Sequence, residues 1–243
     1  MKSILFPFIF CSFSAIAQTC IIAKIEDKNT IYLGSDTRTT RLDFNYQTKQ
    51  FDSVYFTQRK IFNVGKYCFS TSGLLIDVQK RIADSVCHLN YDSNETIEIF
   101  HKVFYSNLIS TLSDYQQKEP ATFQKILQDF KIAMSQTVFC RFENGLPIIR
   151  FVEYSIVNNN LGQPQLKFET YSTKSDIPYI FGANDHTEKL KTDKKMWQTG
   201  PVNGIKKLIR IEADAHPTKV ARPIDIFTIK PDKVSLTRYE GNQ

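Results

Sequence analysis

The chain has 243 residues, of which 42% are apolar and 23% charged, and a formal net charge of +6 at pH 7. This length fits one large mixed domain, and the apolar fraction is enough to fill a core, which excludes a disordered or low-complexity protein. The excess of Lys and Arg is scattered, and Asp193 interrupts even its densest cluster, "KLKTDKK", so the charge describes a mildly basic surface and excludes a nucleic-acid stripe.

The amino-terminal stretch reads as an export signal. Lys2 supplies its positive end, "ILFPFIFCSF" its apolar run, and "AIA" at 15–17 the small residues of a cleavage site. The run is too short to cross a bilayer as a helix. Residues 1–18 are therefore expected to leave as a signal peptide. Residues 19–243 then form a single exported domain, periplasmic or extracellular, with no membrane attachment. Cys11 leaves with the signal. Cys20, Cys68, Cys87 and Cys140 remain, too widely spaced to define a disulfide framework, and Cys68 and Cys87 read as small apolar residues of a strand and a helix. Neither a Cys-x-x-Cys pair nor a His-x-x-x-His pattern is present, so no metal and no other cofactor is expected.

In chain order, "CIIAKIEDKNTIYLGSD" predicts a hairpin with strands over 20–26 and 30–36 around the polar turn "EDKN". The segment 40–58 has no clear period and reads as a long loop or a protruding hairpin. "KIFNVGKYCFSTSG" gives a second hairpin ending at Gly73. Leu74, Leu75, Val78, Ile82 and Val86 fall at helical spacing. Asn94 is the expected cap of the next helix, whose face is Ile97, Phe100, Val103, Phe104 and Leu108. Pro120 opens a short helix. From Ile132 to Tyr171 the texture is β, in "TVFCRF", "PIIRFVEYSIV" and "QLKFETYS". "IPYIFGAND" is a buried strand ending at a Gly turn, a helix covers 201–214, and "PIDIFTIKPDKVSLTRY" closes the chain as a hairpin. Helices in two blocks between stretches of antiparallel strand predict an α+β fold of two packed, mainly antiparallel sheets with helices outside them.

Four short pieces stand in order: "TCIIA", "LGSDTRTT", "RKIFNV" and "STSGLLIDVQKRI". Together they resemble the N-terminal-nucleophile hydrolases, and within these the proteasome β-subunit and its bacterial relatives. That family opens with Thr on an apolar strand and places Asp-x-Arg after the second strand. Lys stands before the next apolar strand, and a small-residue–Gly turn leads into a helix that often bears Asp. The matching positions are Thr19, Asp36 with Arg38, Lys60, and Gly73 with Asp77. The match covers the first third of the exported chain, with "IFGAND" and "PIDIFTI" agreeing further on.

The resemblance implies a four-layer αββα sandwich and hydrolysis of an amide bond by a threonine-type protease or amidohydrolase without a cofactor. In such an enzyme the terminal α-amine, with a pKa of about 8, serves as base for its own residue's hydroxyl. Lys60 would lower the proton affinity of that hydroxyl, Asp36 would hold Lys60 charged, and Gly73 would offer its backbone N–H to the oxyanion. Arg38 and Asp77 would support the site. The implied substrate is a small peptide or amide, and the family's ring assembly makes a homo-oligomer the expected state.

Two alternatives stay open. Counted back from Asp36, Cys20 has the family's spacing without an inserted residue, and a Cys20 nucleophile would make an acylase of small amides. A catalytically silent binding or assembly module of the same fold is the other. The sequence departs from the family at Gln18, where Gly usually precedes the Thr, and at Ala183, where a Ser usually follows the Gly. Cleavage after Ala17 leaves Gln18 in front of Thr19. Signal peptidase cutting one bond later, or attack by Thr19 on the preceding carbonyl, would remove it.

Overall fold

A computed structural model describes residues 19–243 except 46, 48–49, 130–132, 159–163, 174–176, 218–219 and 241–243. The export signal expected over 1–18, Gln18 included, lies outside the described residues, as does Ile132 at the start of the predicted β region. Strands β1 (Cys20–Asp27) and β2 (Thr30–Asp36) form the first predicted hairpin. Its turn is fixed locally, since the Asn29 N–H donates to Asp27 Oδ1 at 2.7 Å. The 40–58 segment is a hairpin, with β3 (Arg38–Asn45) paired to β4 (Gln50–Thr57) as a separate two-stranded ribbon.

The second predicted hairpin is β5 (Ile61–Val64) and β6 (Tyr67–Gly73). Helices α1 (Ile76–His88), α2 (Ser93–Lys118) and α3 (Pro120–Asp129) follow. Helix α1 starts two residues later than the apolar spacing suggests. The Leu74 N–H is taken by the Met134 carbonyl at 2.8 Å, and Leu75 turns left-handed at φ 57°. The cap of α2 is Asp92 rather than Asn94, its carboxylate accepting the N–H groups of Asn94 and Glu95, both at 2.9 Å. Ile97, Phe100, Phe104 and Leu108 are buried as expected, whereas Val103 lies at the margin of that stripe and is exposed.

Strands β7 (Ser135–Glu143), β8 (Leu146–Asn158), β9 (Pro164–Thr173) and β10 (Tyr179–Gly182) come next. Between β10 and α5 (Pro201–Ala215) sit a 3-10 turn at Glu188–Leu190 and the one-turn helix α4 (Lys194–Trp197), neither of which the charge-rich sequence announces. Strands β11 (Ile224–Ile229) and β12 (Val234–Tyr239) close the chain.

Two five-stranded antiparallel sheets result, in the orders β10-β1-β2-β11-β12 and β5-β6-β7-β8-β9. Side chains alternate across each strand, so residues two apart share a face. Ile21, Ala23 and Ile25 of β1 lie in one apolar cluster with Cys68, Val138, Ile149 and Phe151 of the other sheet. Cys20 and Ile22 point the other way, into a cluster with Met196 of α4 and Ile205, Leu208 and Ile209 of α5. Tyr67 and Phe69 of β6 join Phe100, Phe104 and Phe139 in a third cluster under α1–α3. Among the described residues no helix is long and apolar enough to cross a membrane.

The cluster under α2 depends on aromatic geometry. Phe100 is fully buried, stacks on Phe104 at 5.6 Å between centroids and meets Phe139 edge-on at 5.3 Å. Phe100→Ala should lower the unfolding free energy by about 3–5 kcal/mol. Urea denaturation measures this, and a loss under 1 kcal/mol (about the smallest core truncation) would show that the helices do not rest on that contact.

Candidate active site

The ends of the two sheets bring three of the sequence-predicted residues into contact. Thr19 immediately precedes β1, Asp36 ends β2, and Lys60 immediately precedes β5, the edge strand of the other sheet. All three are buried. The Lys60 ammonium donates to Thr19 Oγ1 at 2.7 Å and to Asp36 Oδ2 at 3.0 Å. The Thr19 hydroxyl donates in turn to Asp36 Oδ1.

Backbone groups complete the carboxylate's shell. Asp36 Oδ1 also accepts the Cys20 N–H at 2.9 Å, and Oδ2 accepts the Arg38 N–H at 3.0 Å. These donors satisfy the carboxylate out of water, beside the ammonium of Lys60. Burial pulls the Lys60 pKa below its usual value, while the charge of Asp36 and its hydrogen bond work in the opposite direction. The Lys60 carbonyl is fixed by the Ser70 hydroxyl at 2.7 Å, which sets where the side chain departs.

Arg38 and Asp77 serve differently from the expectation. Only the backbone of Arg38 reaches Asp36. Its guanidinium donates to the Pro217 carbonyl and lies 5.1 Å from the centre of the Tyr55 ring. Asp77 is exposed in the first turn of α1, where it faces the helix N-terminus rather than the buried trio. Cys20 lies in the cluster beneath α5, on the opposite face of β1 from Ile21. Its thiol pKa is raised well above the ordinary value by burial first, then by the carboxylates of Asp36 and Glu212, with Lys60 opposing. A thiol so placed is a poor source of thiolate.

Gly73 ends β6 at φ 91°, and a Cβ there would meet the Met134 carbonyl oxygen at 2.2 Å, so only glycine fits. The buried Gln79 ties its neighbours down, donating to the carbonyls of Ser72 at 3.0 Å and Leu74 at 2.8 Å while accepting from Thr137 Oγ1 at 2.8 Å. Gly73 lies in the wall of a cleft of about 600 Å³. Gly182 and Ala183, which also line it, hold the Thr19 carbonyl from the other side. The Ala183 N–H donates to that oxygen at 2.8 Å, and a Cβ on Gly182 would lie 1.7 Å from it. Thr19 itself is fully buried and does not line the cleft.

Gln136 and Glu153 line the same cleft and were not singled out from the sequence. Gln136 accepts the Gly182 N–H at 2.9 Å and donates to Glu153 Oε2 at 2.8 Å, and burial raises the Glu153 pKa. Both lie on strands as isolated polar residues, with no spacing signal to single them out. The described residues of the β3–β4 ribbon take no part in the cleft, whose aromatic wall is Phe151, Tyr171 and Tyr179. No protein-family model matches the chain, and a search of curated proteins finds no match.

The trio makes a stability prediction independent of any activity. Lys60→Met removes the ammonium and strands a buried carboxylate, which should destabilise the chain by about 3–5 kcal/mol. Adding Asp36→Asn should recover most of that loss. If the double variant proves as unstable as the single one, the two charges are not compensating each other.

Proposed function

We propose that the chain is an exported N-terminal-nucleophile amidohydrolase of αββα architecture, acting on small peptides or amides through Thr19. One observation carries the reading: the Lys60 ammonium sits 2.7 Å from Thr19 Oγ1, with Asp36 bonded to both. The architecture is inferred from the three apolar clusters, one shared by the two sheets and one beneath each helical block.

In the full-length chain the Thr19 nitrogen is the amide of the Gln18–Thr19 bond and has no basic lone pair. Cleavage of that bond supplies an amine. The amine accepts the Thr19 hydroxyl proton as Oγ1 attacks the substrate's carbonyl carbon. Lys60 stabilises the oxygen as its proton leaves, and the Gly73 N–H is the proposed donor to the oxyanion. The protonated amine then passes its proton to the leaving nitrogen as the C–N bond breaks. Water hydrolyses the resulting ester and regenerates Thr19. The same Oγ1 attacking the Gln18 carbonyl carbon would transfer the preceding chain to oxygen, and hydrolysis of that ester would free the amine. Phe151, Tyr171 and Tyr179 suit an apolar group on the substrate, and Gln136 suits its peptide backbone.

The location of Cys20 under α5 favours Thr19 as nucleophile over a Cys20 acylase. The full burial of Thr19 is the observation that favours a silent module of the same fold. Intact mass of the exported protein separates the two, and Thr19→Ala assigns the cleavage. The expected mature chain begins at Thr19, and the Thr19→Ala protein keeps Gln18. Lys60→Met should then lower turnover of a fluorogenic peptide amide by about 10²–10³-fold, the usual effect of losing one preorganised donor. A parent protein that retains Gln18 and turns over no amide substrate is a silent module.

A further inference from the structure

A second cluster lies at the carboxyl end of α5, apart from the Thr19 trio. Glu212 is fully buried, and its two oxygens are used unequally. Oε1 accepts three hydrogen bonds, from the N–H groups of His186 and Thr187 and from Thr187 Oγ1, each at 2.8 Å. Oε2 is buried without a hydrogen-bond partner, and so is His216 Nε2.

These two orphaned atoms face each other and His186. Glu212 Oε2 lies 3.6 Å from His186 Nδ1 and 3.9 Å from His216 Nε2, and Asp185 Oδ2 lies 3.5 Å from His216 Nε2. The three donor atoms of His186, Glu212 and His216 all fall within 4.8 Å of one another. Such separations are too long for good hydrogen bonds. They are near those of ligands sharing one ion: bonds of about 2.0–2.1 Å in a tetrahedron put the ligand atoms roughly 3.3–3.4 Å apart. A carboxylate with one oxygen saturated by backbone and hydroxyl donors, and the other left bare, is a pre-oriented monodentate ligand.

We propose that His186, Glu212 and His216 bind a Zn²⁺ ion, with Asp185 able to take the fourth position. Two imidazoles and a carboxylate suit a borderline first-row cation better than Mg²⁺ or Ca²⁺, which favour all-oxygen shells. His186 is half exposed and gives the ion a route in from solvent. The ion would fasten the 183–187 loop to the end of α5. That loop starts at the residue whose N–H holds the Thr19 carbonyl, and its Asp185 lines the cleft. The site nevertheless stands on its own geometry and does not require Thr19 to be catalytic.

Zn²⁺ alone, titrated calorimetrically into the metal-stripped exported protein, is the direct test. One ion per chain is expected, with Mg²⁺ and Ca²⁺ failing to compete. His186→Ala and His216→Ala should each weaken binding by tenfold or more, given that groups merely behind the ligands are worth about 10–100-fold. His88→Ala, on the exposed last turn of α1, should bind as the parent does. Co²⁺ should give the intense visible absorption of a four-coordinate complex, lost in His216→Ala. Absence of saturable binding by the parent, or unchanged affinity in both variants of folded protein, overturns the proposal.

Discussion

A lysine and an aspartate lie out of water where the edge of one sheet meets the end of the other, and neither is tolerable there alone. Removing each ion from water carries a penalty of several kcal/mol, which their mutual attraction offsets only with good geometry and satisfied neighbours. The geometry is good: Lys60 to Asp36 is 3.0 Å, and two backbone N–H groups and a hydroxyl fill the rest of the carboxylate. An apolar pair of similar volume would fill the space without the penalty. The pair is therefore a weak means of stabilising the sheets and a strong means of holding an ammonium against Thr19 Oγ1.

That arrangement constrains the chain well beyond the trio. Lys60 reaches Thr19 only because β5 lies beside β6 at the edge of its sheet and because Ser70 anchors the Lys60 carbonyl. Thr19 stays in place only because β10 pairs with β1, bringing Gly182 against the Thr19 carbonyl with no side chain between them. Gly182 in turn is held by Gln136, which is braced by Glu153 on β8. Strands from both sheets thus converge on one residue, with polar contacts at the sheet ends and apolar contacts in the middle.

Much of this was legible in the sequence, for local reasons. β1, β2, β6 and α5 carry apolar periods strong enough to fix their type, and their ends fall at Gly or polar turns. Thr19, Asp36, Lys60 and Gly73 were singled out by the resemblance of four ordered motifs, because each alone reads as an ordinary turn or strand-end residue. Gln79, Gln136 and Glu153 were not readable. Gln79 is one of several polar residues on α1, and a lone polar residue in a strand, as Gln136 and Glu153 are, looks like a solvated one until its neighbours in the fold are known. The α2 cap went to Asp92 over Asn94 for a similar reason: both residues can cap, and the choice depends on where the backbone first becomes helical. The histidine cluster was hidden by its division between a loop and a helix end. Only Glu212 and His216, four apart, share a helical face, and a single such pair carries little weight.

The burial of Thr19 is compatible with catalysis if the chain is read as a precursor. While its nitrogen remains in a peptide bond, the residue has no amine to act as base, and its hydroxyl donates its hydrogen bond to Asp36 instead. A nucleophile lacking its base and closed off from the adjacent cleft is latent. Breaking the bond before Thr19 would supply the missing amine. The cleft is lined in part by Gly182 and Ala183, the two residues packed on the Thr19 carbonyl. In a silent module nothing would require an ammonium to be aimed at this hydroxyl, and the desolvation of Lys60 would go without a compensating use. On the proposed reading, latency would account for the burial and the charge together.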